Sequence, residues 1–196
     1  MRYKTIFMLI IFLIGLSLIL YPVISKKYYQ AHLDEVVASF NDGYEKASID
    51  KDSIDKDSEV DGAIFATIEI PKINLHLPIY YGASNEILSN GIGLIENMHE
   101  SIGGLSTHSI LAGHSGIASK ELFTNVHKLE IGDVFRINMR DAQLEYSVID
   151  NQKIKVTETE YLEPQKDRDL VTLLTCPIFD SKNYRIIVIG ERINGD

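Results

Sequence analysis

The sequence predicts a mainly β domain, a barrel or sandwich of about 130 residues, carried behind an N-terminal membrane helix and a stalk. Three observations predict it. From Gly62 onward the chain is a series of short apolar runs broken by turn residues. Only two stretches of that region place apolar residues at helical spacing. Ahead of it lies a long uncharged run and then a polar segment with a helical apolar stripe.

The uncharged run, "TIFMLIIFLIGLSLILYPVIS", covers Thr5 to Ser25, 21 residues. About 20 apolar residues cross a bilayer as a helix. Arg2 and Lys4 precede it and Lys26 and Lys27 follow, so the flanking basic residues tie. The amino terminus adds one positive charge and favours a cytoplasmic N-terminus. A cleaved signal peptide is the other reading, with Val23 and Ser25 as a loose cleavage site. Tyr21-Pro22 stands where a small-residue motif belongs, which favours the retained anchor. Either way residues 28–196 lie outside the membrane.

Residues 28–47 read as an amphipathic stalk helix with Leu33, Val36, Val37 and Phe40 on one face. A tandem "SIDKD" follows, from Ser48 to Asp57, and completes a solvated acidic linker to residue 61. "DSEVDG" (Asp57, Glu59, Asp61, Gly62) resembles the start of a calcium loop. Its twelfth position, which needs a bidentate glutamate, is Ile68, so the match fails.

The domain at 62–196 opens with strands over Ala63–Ile70, stopped by Pro71, and over Leu75–Tyr81, stopped by Gly82. "SNEILSNG" reads as a short capped helix ending at Gly91. "HSILAGHS" is a strand entering a turn. "SKELFTNVHKL" reads as a helix with Ser119 as N-cap and Leu122, Val126 and Leu129 inward. "DVFRINM" and "LEYSVIDNQKIKV" form a hairpin around "RDAQ", and "LVTLLTC" and "YRIIVIGERI" are the last two strands.

Charge narrows the function. Four of the 19 basic residues and none of the 28 acidic ones precede position 28, so the remainder carries a net −13. Nucleic-acid binding needs a basic footprint and is excluded. Cys176 is the one cysteine, so no intramolecular disulfide forms. It ends an apolar strand, precedes Pro177, and is a free thiol in a protein placed outside the cell, where an unused thiol is a liability. A cysteine nucleophile needs a proton-transfer partner, commonly histidine. Of six histidines, His32 lies in the stalk, His76 in a strand, His99 and His108 in or beside loops, and His127 on a helix surface. His114 stands in "LAGHSG" at a strand end, with Gly113 and Gly116 permitting a tight turn. Arg185 opens the last strand nine residues after Cys176. A guanidinium is no base at neutral pH, so its part would be electrostatic.

"TLLTC" with an arginine nine positions on, "LAGHSG" upstream, and "ATIEIPKINLHLPIYYG" at the domain start together resemble the sortases. These are membrane-anchored cysteine transpeptidases of Gram-positive bacteria. The resemblance covers Ala63 to Ile193 and is strongest to the class C, pilin-polymerising members. It implies an eight-stranded β-barrel, a catalytic set of His114, Cys176 and Arg185, and no cofactor; the class A calcium site has no counterpart here. It further implies cleavage of an LPXTG-like sorting signal between Thr and Gly through a thioester. The acyl group then passes to an amine, a pilin lysine in a polymerase or a peptidoglycan precursor in a housekeeping enzyme. The implied partners are LPXTG-bearing surface or pilin proteins, and the implied location is the cell membrane, with the catalytic domain outside. The sequence departs from class C in lacking an Asp-Pro-aromatic lid motif within Tyr28–Gly62 and a second apolar span before Asp196. Pro177 has no N–H, so its amide cannot serve an oxyanion hole. An L,D-transpeptidase would carry its arginine almost beside the cysteine, unlike the spacing here. A catalytically silent scaffold of the same fold is the remaining reading.

Overall fold

A computed structural model describes residues 2–47, 63–95 and 102–193 of the chain. The acidic linker, the calcium-like stretch before Ala63, and His99 lie outside the described residues. Helix α1 runs unbroken from Arg2 to Ala47, through Pro22, so the apolar run and the predicted stalk form one element. Eight strands follow: β1 (Ile64–Ile70), β2 (Leu75–Tyr81), β3 (Ile92–Leu94), β4 (Thr107–Ala112), β5 (Val134–Met139), β6 (Gln143–Lys155), β7 (Asp169–Thr175) and β8 (Tyr184–Arg192). They close into a barrel in the order β1-β2-β3-β4-β7-β8-β6-β5. This is the eight-stranded barrel that the resemblance implied.

Strand alternation divides the barrel wall into two apolar layers. The interior holds Ile68, Leu77, Ile79, Leu111, Phe135, Ile137, Val171, Leu173 and Val188. The outer face of the β4-β7-β8 wall carries a second cluster, Ile110, Leu170, Ile187 and Ile189, covered by Ile154 and Leu162. Leu162 belongs to a 3-10 turn (Thr159–Leu162) in the β6–β7 connection. That connection therefore folds over part of the outer wall.

The capped helix is found as read: α2 spans Asn85–Asn90, with the Ser84 side chain accepting from Ile87 N and Gly91 at its end. Strand β3 was not read from the sequence, because three residues are too short a run to show alternation. The predicted helix after Ser119 is corrected. Lys120 N donates to Ile117 O at 3.1 Å, so the Ser119 region forms a turn, and a 3-10 helix begins only at Leu122 and ends at Lys128. Ser119 is not its cap; that place falls to Glu121, with no side-chain hydrogen bond. Leu122 at φ 35° and Phe123 at φ −87°, ψ 19° break an α-helical course. Leu122, Val126 and Leu129 are still buried, as their spacing required.

Of the predicted stalk face, Leu33 and Val37 are buried and Val36 and Phe40 half-buried. They are covered because α1 packs on the barrel. Leu33 joins the interior cluster's margin with Tyr29 beside it. Tyr29 Oη donates to Ser89 O at 3.2 Å, Gln30 Nε2 reaches His76 O at 3.5 Å, and Lys26 Nζ pairs with Glu121 Oε2 at 2.9 Å.

Candidate active site

Strand β7 lies between β4 and β8 in the barrel wall. The parallel β4/β7 register ends at Ala112↔Leu174. Gly113 N donates to Leu174 O at 3.1 Å, so the pairing continues past the strand end. Two residues further, the same register sets His114 level with Cys176. On the other side, the antiparallel pairing ends at Thr175↔Ile186, and the next step sets Arg185 level with Cys176. Neighbouring strands are about 4.8 Å apart, and residues in one row point to one face. His114, Cys176 and Arg185 therefore occupy one row across three adjacent strands. That row continues the outer-face series Leu170, Thr172, Leu174 of β7. All three residues are half-buried.

Local contacts fix the row. Thr175 is buried, and its Oγ1 donates to Gly113 O at 2.6 Å. Ser115 Oγ donates to Cys176 O. Phe123 N donates to His114 O at 3.0 Å and closes the His114 turn. Gly113 is required here by packing: a Cβ would stand 2.7 Å from the Phe123 ring and 2.8 Å from Ile92 Cδ1. Gly116, at φ +73°, is required by backbone conformation. The two glycines flanking His114 thus do different work, and only Gly116 makes the turn.

Arg185 Nη1 donates to Ser181 O at 2.6 Å and to Tyr184 O at 2.8 Å, so its guanidinium is braced on the turn that leads away from Cys176. No hydrogen bond joins the Cys176 thiol to His114 or Arg185 among the described residues. Such contacts commonly tighten only when substrate is bound. Among those residues no group of His, Cys, Asp and Glu is arranged to hold a metal ion.

The other described histidines stand apart from the row. His32 and His127 are exposed and His76 is half-buried on β2. His108 is buried, with Nδ1 3.0 Å from Glu163 O and Nε2 2.7 Å from Thr172 Oγ1. A carbonyl can only accept, so Nδ1 carries the proton and, in the neutral ring, Nε2 accepts from the Thr172 hydroxyl. His108 thus pins the β6–β7 connection against the outer wall. Sequence reasoning set it aside as a loop histidine and missed this. It also missed Ser115 and Thr175, whose one signal was adjacency to His114 and Cys176. Arg192, which reads as an ordinary surface arginine, has Nη1 3.8 Å from the buried Asp169 carboxylate. Asp169 also accepts from Tyr146 Oη at 3.0 Å and Gly104 N at 2.9 Å, at the opposite end of β7. Burial, and then the Asp169 charge, push the Tyr146 hydroxyl far above its ordinary pKa.

Known proteins share this arrangement of strands. The sortase-domain family model matches residues 68–193. The chain is 39% identical to the crystal structure of sortase C-1 from Actinomyces oris, with a TM-score of 0.63 over 66% of this chain and 73% of that one. It is likewise 39% identical to a pilus-related sortase C of Group B Streptococcus, with a TM-score of 0.64 over 67% and 68% of the two chains. Sortase A of Listeria monocytogenes is 27% identical over 93% of this chain and 88% of its own length. Sortase D of Bacillus subtilis is 26% identical over 67% of this chain, and the match spans 65% of that protein's length. A family match across most of the chain, together with 39% identity to solved sortase structures, gives the assignment: the chain belongs to the sortase family.

Proposed function

We propose that the chain is a membrane-anchored cysteine transpeptidase acting on an LPXTG-like sorting signal. The observation that carries this is the His114–Cys176–Arg185 row at one end of the β4-β7-β8 wall. In this reading Cys176 Sγ, as thiolate, attacks the threonine carbonyl carbon of the Thr–Gly bond. The carbonyl oxygen takes up the negative charge, and Arg185 donates hydrogen bonds to it, since Pro177 has no N–H to offer. The tetrahedral intermediate collapses to a thioester as His114 protonates the departing glycine amine. His114 then accepts the proton of the incoming amine, which attacks the thioester and releases the thiolate.

The acceptor is proposed as a pilin lysine. Support comes from the identity of 35–39% to several sortases of type C, one of them described as pilus-related. A housekeeping role, with a peptidoglycan precursor as acceptor, is favoured by the long match to the Listeria sortase A. The anchor is proposed as retained. Within the helix from Tyr3 to Phe40 a stretch of 18 residues has mean hydropathy 2.7 and none of it is buried, and a helix apolar on every side needs lipid around it.

Mixing the enzyme with an LPXTG peptide and a nucleophilic amine tests the reaction. Cleavage between Thr and Gly, with amine capture, is expected. The Cys176→Ala variant should fold and show neither product. Incubation with purified LPXTG-bearing pilin separates the acceptors, covalent ladders supporting polymerisation and their absence favouring the housekeeping role. A wild-type thiol inert to both peptide and a small alkylating agent would favour the silent scaffold.

A further inference from the structure

The β7–β8 turn carries two large, mostly exposed apolar side chains: Ile178 is 64% and Phe179 is 84% exposed. They follow directly on Cys176 and Pro177. A chain of contacts links this turn to the membrane end of the docked helix. A Cβ placed on Gly116 would meet Ile178 Cγ1 at 3.8 Å, so the turn lies against the segment after His114. Gly116 N donates to Thr124 Oγ1 at 3.1 Å, and Thr124 N donates to Glu121 O at 2.9 Å. Glu121 pairs with Lys26 at 2.9 Å.

Lys26 is the first charged residue after the apolar run that ends at Ser25. A helix rises 1.5 Å per residue, and the headgroup layer is about 5–8 Å thick on each side of the core. Lys26 therefore lies in that layer when α1 spans the bilayer. Tyr29 to Ser89, with the Lys120 ammonium 4.3 Å above the Tyr29 ring, hold the barrel to the same turn of helix. The barrel is thus fastened at the boundary, and its fastened side is the side that carries the His114 segment.

We propose that the Ile178–Phe179 turn rests in the headgroup layer of the bilayer that holds α1, so that Cys176 is presented at the membrane surface. This rests on the retained-anchor reading. The occupant is lipid because the contacts through Gly116, Thr124 and Glu121 tie these exposed apolar side chains to Lys26, at the end of the apolar run. A substrate tethered to the same bilayer would then meet the thiol without leaving the surface, and soluble peptide would have no such advantage.

Cys176 is the chain's one cysteine, so Cys176→Ala gives a clean background for site labelling. In that background the full chain carries Phe179→Cys, Ile178→Cys, Leu105→Cys or Ile14→Cys, each labelled with a polarity-sensitive fluorophore. Leu105 is 76% exposed and precedes β4, at the other end of that strand from His114. The proteins are reconstituted in phosphatidylcholine vesicles with a minor share of phosphatidylglycerol and nitroxide-bearing lipids. Deep nitroxides should quench the label at residue 14. Shallow ones should quench labels at residues 178 and 179 several-fold more than the label at residue 105. Quenching at residue 14 with residues 178 and 179 behaving like residue 105 overturns the proposal and leaves the anchor standing. A label at residue 14 that no lipid quenches removes the anchor and the proposal together. A label at residue 179 that responds to LPXTG peptide and not to lipid makes the turn a peptide contact and also overturns it.

Discussion

Ser115 and Thr175 hold the proposed site together without entering its chemistry. Each hydroxyl donates across from one strand end to the backbone of the other, Thr175 to Gly113 O and Ser115 to Cys176 O. Among the described residues, the hydrogen bond left between the His114 turn and β7 without them is Gly113 N to Leu174 O. Thr175→Val keeps the volume, removes the donor and leaves a buried carbonyl short of one partner. A loss of about 1 kcal/mol in unfolding free energy is expected, with a lower kcat and little change in KM. Urea titration and steady-state kinetics on an LPXTG peptide read both. Within the proposed mechanism, His114→Ala should slow cleavage about 10²–10⁴-fold and Arg185→Ala about 10²–10³-fold. An Arg185→Ala enzyme with near-normal turnover would take the oxyanion away from the guanidinium. The three candidates were legible in the sequence because reactive residue types stood at strand ends. The hydroxyl ties were not, since a threonine in a β run is indistinguishable from a packing residue until its neighbour strand is known.

Two ties shape the β7 wall at the level of elements. His108 on β4 joins Thr172 on β7 to the carbonyl of Glu163 in the β6–β7 connection. His108→Ala should cost about 1–3 kcal/mol, because it strands buried polar partners. It should also raise hydrogen exchange in the connection around Leu162. At the start of β7, across to β8, Arg168 grips Glu191 bidentately, Nε to Oε1 at 2.7 Å and Nη2 to Oε2 at 2.8 Å. The hydrogen bond from Arg168 holds the Glu191 carboxyl below its ordinary pKa. A lowered folded-state pKa means that the contribution is complete above the unfolded carboxylate's pKa and is lost as pH falls through the folded value. Solvent reaches about a third of each side chain and screens the pair, so Glu191→Gln should lower stability by less than about 1 kcal/mol at neutral pH. The difference from wild type should vanish in acid, as thermal melts across pH would show. Element types were legible wherever a run was long enough to show its period. Strand β3, three residues long, was not. The 3-10 helix at Leu122–Lys128 kept the predicted buried face but lost its predicted start, because the Ile117–Lys120 turn claims the backbone first.

The whole molecule joins a long N-terminal helix, apolar in its first half, to a barrel through one docked segment. Composition and spacing revealed the helix and its apolar face; they could not reveal that the face is covered by β2 and its neighbours, a contact between residues some forty positions apart. Leu33→Ala should cost about 2–5 kcal/mol if the docked helix unfolds together with the barrel, since it removes a buried leucine at that joint. A two-state melt of the full chain in detergent, compared with wild type, measures it. The barrel order was legible only through family resemblance, because period-two runs identify strands and not their neighbours. That order is what brings residues 114, 176 and 185 to one row. The most direct test of this convergence is to trap the acyl-enzyme. Wild-type protein mixed with an LPXTG peptide without amine should gain the mass of the peptide through threonine, on Cys176, in a bond that hydroxylamine cleaves. His114→Ala should form it far more slowly. An adduct on another residue, or wild-type and His114→Ala proteins acylated at equal rates, would contradict the account.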